Sequence, residues 1–208
     1  MPHPDMAKID LRATYKHLYS PTAGRVSVVD VPELSFTTID GSVVWGVSPG
    51  ESEEFQQAVQ AMYGVAYTVK FMSKKRSPDP VDFSVMALEG LWPADPSPGH
   101  TVAYTLLMLQ PDHITDDMVR AAAEKANTKR PNPLLAGVRL VRWRKGRCIQ
   151  TMHVGPYSEE AATIERLAGY IAEHGYRARG RHHEIYLGDP RRSKPERLRT
   201  VLRQPIEA

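Results

Sequence analysis

The tripeptide Ser-Glu-Glu occurs twice, at Ser52-Glu53-Glu54 and Ser158-Glu159-Glu160, each time after a β-prone run. A serine followed by two acids reads as a helix start. The hydroxyl caps a free backbone N–H, and the carboxylates lie at the positive end of the helix dipole. After the first, Phe55, Val59, Met62 and Tyr63 mark one helical face, with Gly64 as the expected stop. After the second, Ile164, Leu167, Ala168 and Ile171 do the same, closed by His174-Gly175. Each half then continues through two more strand signals, so the order is strand, helix, strand, strand, twice. This predicts an α+β fold of two pseudo-symmetric units sharing an antiparallel sheet, with a central ligand cleft between the two helices.

On this reading residues 1–208 form one domain. Residues 1–24 are an N-terminal arm, 25–110 the first unit, 111–137 a connector helix and loop, and 138–208 the second unit. In the first unit, Arg25–Val31 is a strand stopped by Pro32, and Phe36–Ile39 a second one stopped by Asp40-Gly41. Val65–Met72 fits a strand or a continuing helix. Phe83–Trp92 and His100–Gln110 read as a hairpin with a wide loop. Thr115 caps a connector helix that runs to Lys129. In the second unit, Val138–Trp143 and Arg147–Val154 are paired strands joined by a tight turn at Lys145-Gly146. A short helical turn at Ser193–Glu196 precedes a last strand, Thr200–Ile206.

Hydrophobic residues make up 41% and charged residues 25%, the balance of a folded globular chain. Cys148 is the single cysteine, which excludes an intramolecular disulfide and fits the cytoplasm. The histidines show no metal-ligand spacing, and no cofactor is expected. No apolar run reaches membrane-spanning length, and the N-terminus lacks a signal-peptide core. Basic residues gather between Arg177 and Arg203, but without a nucleic-acid motif they read as a solvated surface.

The chemistry concentrates in His182-His183-Glu184-Ile185-Tyr186-Leu187, stopped by Gly188-Asp189-Pro190. On a period of two, Ile185 and Leu187 share one face while Glu184 and Tyr186 share the other. That polar face is either a sheet surface in water or the wall of a pocket. Glu89 has the same two readings. Tyr157 either packs at the start of the second helix or borders a pocket mouth. Trp92 and Trp45 are candidate rim residues or core, and Met86 an adaptable lining residue or core. His153 and His182 are structural residues or proton carriers, and Cys148 reads as an inert buried thiol.

With "SEEFQQAVQAMYGVAYTVKFMSKK" at 52–75, "LEGLW" at 88–92, "MHVGPYSEE" at 152–160 and "HHEIYLGDPRR" at 182–192, the chain resembles the GyrI-like small-molecule-binding family. The likeness runs from about residue 8 to the C-terminus and is to its stand-alone branch. The resemblance implies a pocket with a buried acid and aromatic walls, taking bulky aromatic or cationic lipophilic compounds. It also implies hydrolysis of cyclopropanoid genotoxins. By position it carries over Glu184 as the pocket carboxylate and Tyr186 beside it, Tyr157 in the Gly-Pro-Tyr turn, and Glu89 and Trp92 in the Leu-Glu-Gly-Leu-Trp segment. Pro93 stands where that segment has a second tryptophan, and the loop Val43–Pro49 departs by carrying Trp45. As catalytic residues the resemblance suggests Glu184 or Glu89 for the base and Tyr157 or Tyr186 for the phenol. Binding without turnover, in a sequestering or sensing module, and inhibition of a protein such as gyrase are the alternatives.

Overall fold

A computed structural model describes residues 8–94 and 97–207. Two short helices, α1 (Leu11–Thr14) and α2 (Lys16–Tyr19), lead into β1 (Ser27–Val44). Next come α3 (Glu53–Lys74), β2 (Leu88–Trp92), β3 (Thr101–Gln110) and the connector helix α4 (Asp116–Lys129). The second unit repeats the order with β4 (Arg139–Val154), α5 (Ala161–Glu173), β6 (His182–Tyr186) and β7 (Arg199–Glu207), with a two-residue strand, β5 (Arg177–Ala178), added before β6. Among the described residues no helix is long and apolar enough to cross a membrane.

The strand order is β4-β1-β3-β2-β6-β7-β5, and β4 also pairs with β7, so all strands but β5 close into an antiparallel barrel. Equivalent strands meet at the two seams: β1 with β4, and β2 with β6. That is the pairing a pseudo-twofold repeat requires, and it confirms the α+β architecture. The helix α3 packs on β1 and β3, and α5 on β4 and β7. The β2–β6 seam is left between them.

Several local expectations are corrected by tertiary context. The two strands expected on either side of Pro32 are one strand, β1. Pro32 falls on the stretch before Ser35 that pairs with β4 alone, where a missing N–H is tolerated. Gly41 is no turn either. It pairs with Tyr104, and a β-carbon there would come within 2.3 Å of the Tyr104 hydroxyl, so glycine makes room for that ring. Lys145-Gly146 does not reverse the chain: β4 runs straight through, with Gly146 at φ 73° opposite Val31. Gly64 does not end α3, which continues for ten more residues because Val65, Ala66 and Val69 have core to bury. The β-prone run from Phe83 forms a strand only from Leu88.

The two Ser-Glu-Glu sequences also diverge. Ser52 caps α3, its hydroxyl accepting from the Phe55 N–H. Ser158 lies inside a 3₁₀ turn, Tyr157–Glu159, and α5 begins after Glu160 without any side-chain cap.

The barrel's inner face is polar at its centre. Glu89 is 0% exposed and accepts a 2.6 Å hydrogen bond from the Tyr19 hydroxyl, while His183 Nε2 lies 2.7 Å from its other oxygen. The N-terminal arm is held there by the buried Arg203, which donates to the Leu18 carbonyl and to Gln150. Burial pushes the Glu89 carboxyl up to about 7, against the opposing effects of the Tyr19 hydrogen bond and the Arg203 charge.

Gly64 provides a direct check on helix packing. A β-carbon there would meet only Ala126 at 3.8 Å, an ordinary contact. Gly64→Ala is therefore expected to stabilise the protein by about 0.5–1 kcal/mol through the lower conformational freedom of the unfolded chain, read as a higher midpoint in urea.

Candidate functional site

Because β2 and β6 are antiparallel, their residue pairs alternate between the two faces of the sheet. Gly90 pairs with Glu184, and Glu89 with Ile185. Glu184 and Glu89 therefore point to opposite sides. The sequence placed both in one pocket; the structure does not bring them together, because Glu89 is one residue out of step with the strand position facing the helices.

On the helix-bearing face, β6 presents His182, Glu184 and Tyr186, and β2 presents Gly90 and Trp92. The Trp92 indole N–H donates to the Tyr186 hydroxyl at 2.9 Å, and that hydroxyl donates to Glu184 Oε2 at 2.7 Å. The relay crosses β2 over Gly90, where a β-carbon would come within 2.7 Å of Trp92 Nε1 and 2.9 Å of the Tyr186 hydroxyl. The other Glu184 oxygen, Oε1, has no protein hydrogen bond among the described residues. His182 Nε2 is 3.9 Å away, too far to donate. The Glu184 side chain is 14% exposed, so the free oxygen borders solvent without standing in it.

A second carboxylate joins the first. Glu160, 6% exposed, has its Oε1 without a hydrogen-bond partner, and its carboxyl is pushed up to about 8, first by burial and then by the Glu184 charge. Burial also raises Glu184, to about 7, partly offset by the Tyr186 hydroxyl. At neutral pH the pair thus retains a proton: two acids close together in a dry setting resist double ionisation. His182 is held down to about 4, by burial and then by the Lys145 charge, and is neutral at pH 7. Tyr157 packs edge-on against Tyr186, with ring centroids 5.7 Å apart, and is 38% exposed. Burial, with the Glu160 and Glu184 charges next, pushes its phenol up to about 12, so it remains a proton donor.

The first unit supplies an aromatic wall. Trp92 lies 6.1 Å from Trp45, 6.1 Å from Phe55 and 5.6 Å from Tyr104, between ring centroids. Trp92 is itself buried, and Trp45 half-buried. Met86 lies in the hydrophobic core ahead of β2. A groove of about 600 Å³ runs along α3 past Tyr63 to the Asp189–Arg192 turn of the second unit, but Glu184 does not line it.

Glu184, Tyr186, Tyr157, Trp92 and Trp45 are thus gathered on one face, and Glu89 is separated from them. The sequence reading missed Glu160, Gly90, Phe55 and Tyr104. Glu160 was accounted for locally, as an acid in a first helical turn. Gly90 and the rings declare themselves only through strand register. His153 is structural, bonded to Thr163 at 3.0 Å. Among the described residues no cluster of three or more His, Cys, Asp or Glu could hold a metal ion.

The model of the GyrI-like small molecule binding domain matches residues 25–207. Two solved structures from Listeria innocua are similar over nearly the whole chain. One, a protein described as a hydrolase, is 37% identical with a TM-score of 0.83, over 96% of this chain and 100% of that one. The other, an uncharacterised conserved protein, is 35% identical with a TM-score of 0.85, over the same shares. The EcmrR C-terminal domain shares the fold at 9% identity and a TM-score of 0.55, over 88% of this chain and 97% of that domain. Comparison with curated protein sequences gives no match.

Two measurements probe this geometry. Gly90→Ala is expected to cost about 1–3 kcal/mol, since the new methyl group forces the Trp92–Tyr186 pair apart, seen as a lower urea midpoint and a shifted tryptophan emission. The second concerns pH. Glu160 is protonated in the folded state above the pH at which it ionises in the unfolded chain. Its contribution is therefore full below about pH 4.5 and lost as pH rises towards about 8. Glu160→Gln removes that loss, so between pH 5 and 8 the variant should gain on the parent by up to about 1.4 kcal/mol per pH unit, read from denaturation at several pH values.

Proposed function

The chain belongs to the GyrI-like small-molecule-binding family, and from that premise we propose that it binds bulky aromatic or cationic lipophilic compounds at the β2–β6 seam and hydrolyses cyclopropanoid electrophiles there. Glu184 carries the proposal. It is a half-buried acid with one oxygen anchored by Tyr186 and the other free, beside an aromatic wall and between two helices. Similarity to a Listeria innocua protein described as a hydrolase supports catalysis.

The residues divide the reaction between them. In its ionised form Glu184 takes a proton from a water molecule held at Oε1, acting as general base. The water oxygen attacks a cyclopropane carbon, one ring C–C bond breaks, and its electron pair flows into the conjugated dienone, which becomes a phenoxide. Tyr157, protonated and half-open to solvent, donates a hydrogen bond to that oxygen as charge develops. The proton that Glu184 took from the water is then given up to the phenoxide, directly or through solvent, so that the base is regenerated and the net change is addition of water. Glu160 keeps its own proton at neutral pH, so the pair carries a single negative charge when Glu184 is ionised. Tyr186 is committed to Glu184 and positions it, so the phenol role falls to Tyr157.

A lipophilic cation would be held by the same groups, through the Glu184 charge and cation–π attraction to the rings, worth about 0.5–2 kcal/mol each. This supports the second reading, a module that sequesters or senses such compounds without turning them over. The buried Cys148 thiol suits the reducing cytoplasm in either case.

Incubation with a spirocyclopropyl-dienone, followed by mass spectrometry, should show multiple turnovers to the water adduct. Glu184→Gln should lower the rate by roughly 10²–10⁴-fold, and Tyr157→Phe by less. Stoichiometric depletion without turnover would select the binding module. Unchanged turnover and unchanged affinity for a fluorescent aromatic cation in Glu184→Gln would remove Glu184 from both readings.

A further inference from the structure

Away from the Glu184 site, α3 and α4 enclose a groove of about 920 Å³. Its apolar lining comes from Tyr67, Phe71, Met72 and Met118. Tyr67 and Phe71 are one helical turn apart and both 51% exposed, a large apolar area to leave in water. The same groove is lined by Lys75, Arg76, Lys125 and Lys129, all exposed, and by no carboxylate. None of these four cations forms an ion pair among the described residues, whereas the neighbouring Lys70 and Lys74 are both occupied by Asp82.

From this we infer that the α3–α4 groove docks an acidic amphipathic segment of a protein partner, with apolar side chains on Phe71 and the two methionines and carboxylates on the basic rim. Charge complementarity fixes the sign of the occupant: four unpaired cations surround an apolar floor, so an approaching acid finds partners that need not first leave another one. It also separates this groove from the Glu184 site, whose acids select the opposite charge. The floor favours a peptide over single-stranded nucleic acid. Thioethers on flexible stems adapt to aliphatic and aromatic anchors, while nucleic-acid grooves stack successive bases on a row of ring faces. Here half the floor is methionine.

The test uses the full chain and a fluorescein-labelled synthetic helical peptide with leucine and phenylalanine at four-residue spacing and glutamate elsewhere. Fluorescence polarisation should show saturable binding that weakens as salt is raised. Lys125→Glu combined with Lys129→Glu should weaken it at least tenfold, and so should Phe71→Ala. These side chains are exposed, so both variants should keep the parent's thermal melt and its affinity for an aromatic cation at Glu184. The same peptide with lysine in place of glutamate should not bind. Absence of peptide binding, tighter binding of an oligothymidine, indifference to the substitutions, or dimerisation of the chain that Phe71→Ala abolishes would each overturn the inference.

Discussion

The antiparallel pairing of β2 with β6 is the constraint on which the rest of the molecule depends. It joins the two units across their pseudo-twofold seam, and it fixes which carboxylate faces which environment. A slip of β6 by one residue would carry Glu184 into the barrel, and the same slip of β2 would carry Glu89 out towards the helices. The two acids resolve burial in different ways. Glu89 is satisfied on both oxygens, by Tyr19 and His183, and ties the N-terminal arm to the barrel. Glu184 is satisfied on one oxygen only, and Glu160 keeps Oε1 unpaired. An unpaired buried polar atom costs about 1–3 kcal/mol. A fold that buries Glu160 with an unpaired oxygen beside the half-buried Glu184 spends stability where a ligand can repay it.

Much of the architecture was legible in the sequence because it rests on order and periodicity. The doubled strand–helix–strand–strand pattern, the Ser52 and Thr115 caps, and the alternation through Glu184 and Tyr186 all follow from local chemistry, and the structure shows each. Three of the misreadings share one cause. Gly41, Gly64 and Gly146 were taken as chain-breaking signals, but each lies inside a long element that tertiary packing carries through it. Gly41 makes room for the Tyr104 ring and Gly64 lies against Ala126. Local propensity is a weak prior when a buried face continues on both sides of the breaker.

The candidate site was legible in part. Glu184, Tyr186 and Tyr157 could be singled out from alternation and from the Gly-Pro-Tyr turn. Glu160 was hidden by a sufficient local explanation, since an acid near a helix start needs no further reason. Glu89 looked equivalent to Glu184 because it holds the same place in the order of elements. Which face a strand residue takes depends on its exact step within the strand, and matching two repeats element by element does not supply that.

The repeat itself explains how one face became the candidate site. Two equivalent units would present the same groups twice, yet their contributions here are complementary. The first unit provides rings: Trp45, Phe55, Trp92 and Tyr104, clustered at centroid distances between 5.1 and 6.1 Å. The second provides the titratable groups, His182, Glu184, Tyr186 and Glu160. The divergence of the two Ser-Glu-Glu sequences belongs to this division. Ser52 caps α3 and leaves Glu53 and Glu54 in water as ordinary first-turn acids. In the second unit a 3₁₀ turn takes up Ser158, α5 starts later and uncapped, and Glu160 is buried beside Glu184. Losing a cap costs about 0.5–2 kcal/mol, and in exchange the seam acquires a second carboxyl, raised by burial and by the Glu184 charge. Symmetry supplies the scaffold, and the place where it fails supplies the pair of titratable carboxyls.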